Sequence, residues 1–369
     1  MERLLLVHPE GAEAGTIETL PKTEGMALVQ EHTFLESYEG WVEVNKVCIT
    51  SEATLTTVLD SLADETKISA IKSMKDKYLF RQLLAEIYPK LAYEIVDFDA
   101  ISNLKITGKK VLKPAKGCFG TAVKIIDENS NLAQITQEIK AEIDRNASVL
   151  SDSVLSKNKF ILEDYIEGEE YAVDIFYDAL GEPHVVGIYY HPIPANEAYL
   201  HMIYYTNKAI FDKVYDQAKA FFAQLNVKLQ LKNTALHAEF KLAQTLIPIE
   251  INAMRFGGMG LGNMIYYSLN VNPYQYFIEE KSPDWRKIWE KHPEGNFVFF
   301  IAYNGTHIDK SKQQPNLDKL EGEFTKILNK TIFDYQKQLA FGVYTLAEST
   351  ENIEKLLKID FNECFKETK

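Results

Sequence analysis

Two runs decide the reading of this chain: Thr234-Ala235-Leu236-His237-Ala238-Glu239-Phe240-Lys241-Leu242 and Thr245-Leu246-Ile247-Pro248-Ile249-Glu250-Ile251-Asn252. In both, polar residues fall at every second position, the period of a strand with one wet and one dry face. His237, Glu239 and Lys241 share a face on the first strand. Pro248, Glu250 and Asn252 share one on the second, with Ile247, Ile249 and Ile251 directed into a core. A hairpin turning at Gln244-Thr245 sets Glu239 opposite Glu250 and His237 opposite Asn252, although Gln-Thr is a poor two-residue turn. Like charges directly opposite destabilise a sheet unless a counter-ion joins them, and two carboxylates with an amide oxygen are hard ligands suited to magnesium. The plainer alternative is a solvated hairpin face whose acids share nothing.

Outward from this hairpin the chain continues into Ala253-Met254-Arg255-Phe256-Gly257-Gly258-Met259-Gly260-Leu261-Gly262. Glycines let backbone approach a ligand, and a guanidinium forks onto carboxylate or phosphate. Upstream, Lys113-Pro114-Ala115-Lys116-Gly117-Cys118-Phe119-Gly120-Thr121 joins two predicted strands. It fits neither the Walker A nor the dinucleotide pattern, yet its lysines and freed N–H groups could cradle phosphates and close over them as a lid. A third stretch, Phe160-Ile161-Leu162-Glu163-Asp164-Tyr165-Ile166-Glu167-Gly168-Glu169-Glu170, is a strand that bends at a glycine. Its backbone could read an adenine edge and its carboxylate ribose hydroxyls. A plain hairpin and an acidic connector are the simpler readings of these two stretches.

The 369 residues suffice for two or three domains, and 46% hydrophobic with 12% aromatic content is that of a folded globular enzyme. A net charge of -13 argues against nucleic acid and anionic membrane surfaces. Cys48, Cys118 and Cys364 lack paired spacing, which fits a reducing cytoplasm, and the apolar run before His8 is too short for a leader or a membrane span. Strands are expected at 3–7 and 44–50, followed by a helix from Glu52 to Ala63. A capping box at Ser73 and Asp76 should open a helix running to Pro89. Strands at 93–96, 110–113, 122–126 and 160–166 around a helix at 131–149 form a second module. Strands at 171–177, 185–190, 235–242 and 246–252 with a helix at 211–225 form the main body. Residues 187–207, rich in Tyr and His, read first as a partly buried strand and loop and second as the wall of a substrate pocket. The tail after Ser282 carries no legible chemistry.

In this order the three stretches resemble the ATP-grasp superfamily, over roughly residues 70 to 265, in its branch of carboxylate-amine ligases such as the L-amino acid ligases and biotin carboxylases. The resemblance implies an α+β ATP-grasp fold with three parts. These are an N-terminal α/β unit over residues 1–72, an ATP-binding subdomain over 73–168 whose lid spans about 105–165, and a larger C-terminal module with an antiparallel sheet over 169–369. It implies ATP and Mg2+, with Mn2+ as a substitute. Lys77 looks like the first nucleotide lysine and Lys113 like the second, reaching the α- and β-phosphates. Lys116 and Gly117, Gly120 and Thr121 would belong to the phosphate loop, where oxidation of Cys118 would block ATP. Glu163, Asp164 and Ile166 are similar to the adenine hinge, with the backbone of Asp164 and Ile166 meeting the base, and Glu170 to the ribose carboxylate. Glu239, Glu250 and Asn252 match the metal ligands. Arg255, which stands three residues after Asn252 where many relatives have two, looks like the arginine that stabilises charge at the acyl centre.

The implied activity is ATP-dependent joining of a carboxylate to an amine, or to a thiol, through an acyl phosphate, with amino acids or small carboxylic acids as substrates. The rivals are an ATP-grasp kinase acting on a small molecule, a non-catalytic ATP-binding module and, last, a bicarbonate-using carboxylase. Small molecules are the expected partners, and an exposed edge strand would permit a homodimer.

Overall fold

The computed structural model describes residues 3–9, 14–37, 44–117, 120–146 and 155–368. The chain begins with a three-stranded parallel sheet in the order β2-β1-β3, from β1 (Leu4–His8), β2 (Met26–Gln30) and β3 (Val47–Ile49). Leu4 to Val7 are fully buried, as their unbroken apolar run demands of a central parallel strand. β2 went unforeseen, because Met26-Ala27-Leu28-Val29-Gln30 is short and only Val29 in it is buried. The helix expected after Ser51 is a 3-10 turn, Glu52–Thr54, continued by Leu55–Ser61, with the Ser51 side chain accepting from the Ala53 N–H.

Two helices follow, Glu65–Lys75 and Lys77–Leu84, and they correct the capping expectation. Ser73 lies inside the first, its hydroxyl donating to the Ser69 carbonyl at 2.9 Å. The cap of the second is Asp76, extended at φ -83 and ψ 111, whose carboxylate accepts from the N–H groups of Tyr78 (3.0 Å) and Leu79 (3.1 Å). A carboxylate at the break satisfies orphan donors directly, so no upstream serine is required. Asp76→Ala is expected to cost about 1 kcal/mol, read as a lower urea midpoint, and to loosen Lys77, the first residue of that helix.

The next module is a four-stranded sheet in the order β4-β7-β5-β6, from β4 (Tyr93–Asp97), β5 (Lys110–Pro114), β6 (Lys124–Ile126) and β7 (Lys159–Asp164). The helix Leu132–Asn146 covers it, and Ile139 and Ile143 pack with Val96, Leu112, Ile126, Phe160 and Leu162. Each strand expected here is present, with ends shifted by up to two residues.

The largest element is an antiparallel eight-stranded sheet, β12-β11-β8-β9-β10-β13-β16-β15. It comprises β8 (Glu169–Tyr177), β9 (Pro183–His191), β10 (Ile203–Thr206), β11 (Thr234–Leu242), β12 (Leu246–Ala253), β13 (Asn296–Tyr303), β15 (Lys326–Ile332) and β16 (Ala340–Glu348). The remaining strands, β14 (Gln313–Pro315) and β17 (Phe365–Glu367), pair with each other. The 22-residue helix Lys208–Leu229 lies against this sheet. Three of the eight strands come from the tail, so the stretch after Ser282 is integral to the main body. Asn296-Phe297-Val298-Phe299-Phe300-Ile301-Ala302-Tyr303 is buried on both faces, and such a run shows no alternation to betray it.

The decisive hairpin forms, with Glu239 opposite Glu250 and His237 opposite Asn252. The route to that register differs from the sequence reading in two ways that cancel. Leu242 pairs with Leu246, so the turn has three residues, Ala243 to Thr245, and a bulge follows where the register shifts between Glu239 and Phe240. The bulge also corrects the faces. Leu246, Ile251 and Ala253 join the core, and Pro248 is buried, whereas Ile249 lines the same cavity as Glu250.

Candidate functional site

A cavity of about 310 Å³ lies between the four-stranded and eight-stranded sheets. Lys77, Lys113, Gly117, Gly120, Thr121, Glu163, Asp164 and Ile166 line one side and Glu170, Glu239 and Glu250 the other. Eleven of the fourteen residues singled out in the sequence therefore meet around one space. Lys116 does not line it; its main chain is fastened to Ser156, N–H to Oγ at 3.3 Å and carbonyl to N–H at 2.9 Å. Asn252 and Arg255 lie behind Glu250. Cys118 and Phe119 fall outside the described residues. The Tyr- and His-rich stretch is mostly the buried strands β9 and β10, and it adds His191, Ile193, Leu200 and His201 to the wall of this cavity.

At one end Lys77 Nζ stands 3.0 Å from Glu250 and 3.0 Å from the Gly117 carbonyl, tying the phosphate-loop candidate to the hairpin. Lys113 pairs with Glu163 at 2.5 Å. The second partner of Glu163 is Arg81, whose Nε donates to it at 2.6 Å while Nη1 donates to the Pro248 carbonyl at 2.6 Å. Burial pushes the Glu163 carboxyl up, but Lys113 and Arg81 outweigh it and bring it down to about 2. The carboxylate of Glu163 is thus occupied in holding Lys113, and its main chain lies inside the sheet between Tyr93 on β4 and Val111 on β5. The Asp164 N–H donates to the Ala92 carbonyl at 3.0 Å and its carboxylate pairs with Lys110 at 2.6 Å. Arg81 had no role in the sequence reading; its only signal was a position one helical turn after Lys77.

The carboxylate pair is electrostatically unbalanced. Burial and the charges of Glu250 and Glu170 hold Glu239 above the usual carboxylate range. Glu250, despite burial, is brought down to about 2 by Lys77 and Lys75. The Asn252 amide, oriented to satisfy its neighbours, donates to Glu250 Oε1 (3.0 Å) and Glu52 Oε1 (2.9 Å), while its oxygen accepts from Arg255 Nη2 at 3.3 Å. Glu52 also accepts from Arg255 Nε at 3.2 Å and forms a close ion pair with Lys75. The 3-10 turn that follows β3 therefore holds the arginine of the glycine loop, a link that no local pattern announced. A Cβ at Gly258 would come 2.9 Å from Arg255 Nη1, so a side chain there would push the guanidinium aside. Among the described residues no three His, Cys, Asp or Glu side chains are arranged to hold a metal ion, which leaves two carboxylates with the amide as the candidate set.

Behind the hairpin, buried Asp174 accepts from His237 Nδ1 (2.8 Å) and from the Gly257 N–H (2.9 Å), anchoring the glycine loop to β8. At the other end of the cavity Glu170 pairs with His191 Nδ1 at 2.6 Å and Lys241 at 2.9 Å. Burial raises Glu170, but the hydrogen bond and charge of His191, with Lys241, bring it down to about 2. Gly168 makes the bend before it possible, because a Cβ there would lie 2.3 Å from the Leu242 carbonyl oxygen. Among the described residues no helix is long and apolar enough to cross a membrane.

Two sheets thus close on a cavity rich in lysines and carboxylates. Residues 107–263 match the ATP-grasp domain family, and the structure has an α+β ATP-grasp fold. The L-amino acid ligase from Bacillus licheniformis is similar in structure, with a TM-score of 0.67 and 14% identity over 100% of this chain and 99% of that one. The N5-carboxyaminoimidazole ribonucleotide synthetase from Thermotoga maritima has a TM-score of 0.61 and 13% identity over 99% of each chain. The biotin carboxylase domain dimer of the Hydrogenobacter thermophilus 2-oxoglutarate carboxylase, in complex with MgADP, ADP and bicarbonate, has a TM-score of 0.59 and 10% identity over 100% of this chain and 91% of that one. At such identities these likenesses establish the fold. No curated protein sequence matches this one.

Proposed function

We propose that this chain is an ATP-dependent ligase that joins a carboxylate to an amine through an acyl phosphate, splitting ATP to ADP and phosphate. The observation that carries the reading is the convergence of Glu239, Glu250, Lys77 and Lys113 at one end of the cavity, with Arg255 braced directly behind. The named neighbours are an amino acid ligase, a synthetase and a carboxylase domain, and the last is a complex with MgADP.

The facing acids fit magnesium because their mutual repulsion, felt in the raised Glu239, is what a divalent cation would relieve. Glu239 and Glu250 would hold it, with Asn252 once its amide oxygen turns from Arg255. Bound there, the ion would supply neutralisation of phosphate charge. Lys77 and Lys113 offset charge on the transferred group, and Glu163 with Arg81 keeps Lys113 aimed. Ile166 and the carbonyl of Asp164 face the base, and Glu170 the ribose hydroxyls. Arg255 and loop N–H groups stabilise the oxyanion formed when the amine attacks. The four-stranded module shields the acyl phosphate from water. A cytoplasmic setting and small-molecule partners accord with this reading.

The test is phosphate release from ATP and Mg2+ against pools of amino acids and small carboxylic acids, with mass spectrometry of each active pool. An amide product formed in step with phosphate is expected. A stable phosphorylated product without ligation would replace the ligase by a kinase.

A further inference from the structure

The cavity wall at β9 holds a titratable group that the mechanism above does not use. His191 is 3% exposed, and both ring nitrogens are engaged. Nδ1 lies 2.6 Å from Glu170 Oε1, and Nε2 lies 2.8 Å from the Leu200 carbonyl oxygen. A carbonyl can only accept, and so can an ionised carboxylate. A ring that donates from both nitrogens is an imidazolium. The alternative, a neutral ring beside a protonated Glu170, is opposed by Lys241, whose ammonium stands 2.9 Å from the other oxygen of Glu170. The ring also stacks on Tyr204 with centroids 4.2 Å apart and planes 9° apart, and a phenol face favours a cation there.

We propose that His191 is a positioning residue, doubly protonated in the native protein, which with Lys241 fixes the Glu170 carboxylate to receive the ribose hydroxyls of a bound nucleotide. The proposal rests on the reading of Glu170 as the ribose carboxylate and on nothing in the ligation chemistry. The charged and titratable groups facing His191 agree with it. Glu170 comes from β8, Glu239 and Lys241 from β11, and His201 and Tyr204 from the segment leading into and along β10. Burial alone would lower the His191 pKa, but the Glu170 bond and charge, the Leu200 carbonyl and Glu239 raise it above the ordinary histidine value. His201, driven down to about 4 by burial and by His191, stays neutral and shares a hydrogen bond with Tyr204, 2.9 Å away.

The sign follows from the raised value. The cation is present below the raised folded pKa and is lost as pH rises through it, whereupon the ring retains one N–H for two acceptors. Glu170 is then held by Lys241 alone.

The test is equilibrium affinity for a non-hydrolysable ATP analogue with Mg2+, from about pH 6 to about pH 9, in wild type and His191→Gln. Each is compared with the same analogue lacking both ribose hydroxyls. Wild-type affinity should fall roughly 5-fold to 10-fold with rising pH, His191→Gln should bind more weakly with no such pH step, and the dideoxy analogue should show neither effect. A pH step unchanged in His191→Gln, or shared equally by the dideoxy analogue, would overturn the proposal. If wild type fails to distinguish the two analogues at all, the ribose reading of Glu170 falls and this inference with it. Should the variant not fold, nitrogen NMR of wild-type His191 decides: two protonated ring nitrogens at neutral pH are expected, and a singly protonated ring refutes it.

Discussion

Replacing Glu250 with alanine is expected to lower nucleotide-dependent phosphate release by at least about 100-fold. The carboxylate stands opposite Glu239, pairs with Lys77 at 3.0 Å and receives the Asn252 amide at 3.0 Å. Its removal takes away half of the charge that would hold a divalent cation and frees the lysine that links the hairpin to Gly117. Glu250→Gln separates the two effects, since it keeps the volume and a partner for Asn252 while deleting the charge. Both variants should retain the wild-type circular dichroism spectrum, because Glu250 faces the cavity and not the core. Activity within about threefold of wild type in Glu250→Gln would mean that this carboxylate is not a metal ligand.

The largest effect on stability is expected at Arg81. Arg81→Met should destabilise the protein by about 3 kcal/mol, from losing a charged hydrogen bond to Glu163, which keeps Lys113, together with the donor to the Pro248 carbonyl, read as a shift of the urea midpoint. Arg81 is 2% exposed and joins three elements, its own helix, Glu163 on β7 and the Pro248 carbonyl on β12. It therefore bolts the small sheet to the large one at the back of the cavity. The same cluster governs acid sensitivity. Glu163 titrates near 2 in the folded chain, well below an unfolded glutamate, so its contribution is complete above the unfolded pKa and disappears as pH falls toward 2. That contribution is on the order of 3 kcal/mol in wild type. Arg81→Met, which leaves Glu163 with Lys113 alone, should show a visibly shallower loss of stability between about pH 5 and about pH 2.

Both expectations depend on residues of very different legibility. Glu250 was visible because a half-buried strand writes its wet face at every second position, and the glycine loop after it marked the ligand side. Even so, the opposition of Glu239 and Glu250 was reached by a two-residue turn that does not exist, rescued by a bulge that no local composition signalled. Arg81 and Glu52 could not be found in this way. Arg81 meets Glu163 across 82 residues and Arg255 meets Glu52 across 203, and ion pairs over such separations leave no periodic trace. The tail failed for the opposite reason. Its strand β13 is buried from Asn296 to Ala302, so it lacks the alternation that identified β11 and β12. The order of the three glycine-bearing stretches conveyed more than any one of them, since that order is what brings Lys113, Glu163, Glu170 and Glu250 around a single cavity.

The acyl phosphate is the central claim, and isotope transfer tests it most directly. With the carboxylate oxygens of the active substrate pool carrying a heavy stable isotope, ATP and Mg2+ are added and the released phosphate is analysed by mass spectrometry. Transfer of one labelled oxygen into each phosphate is predicted, because the carboxylate oxygen that attacks phosphorus leaves with it when the amine displaces it. Phosphate free of label alongside a labelled amide or a stable phosphorylated product would contradict the account.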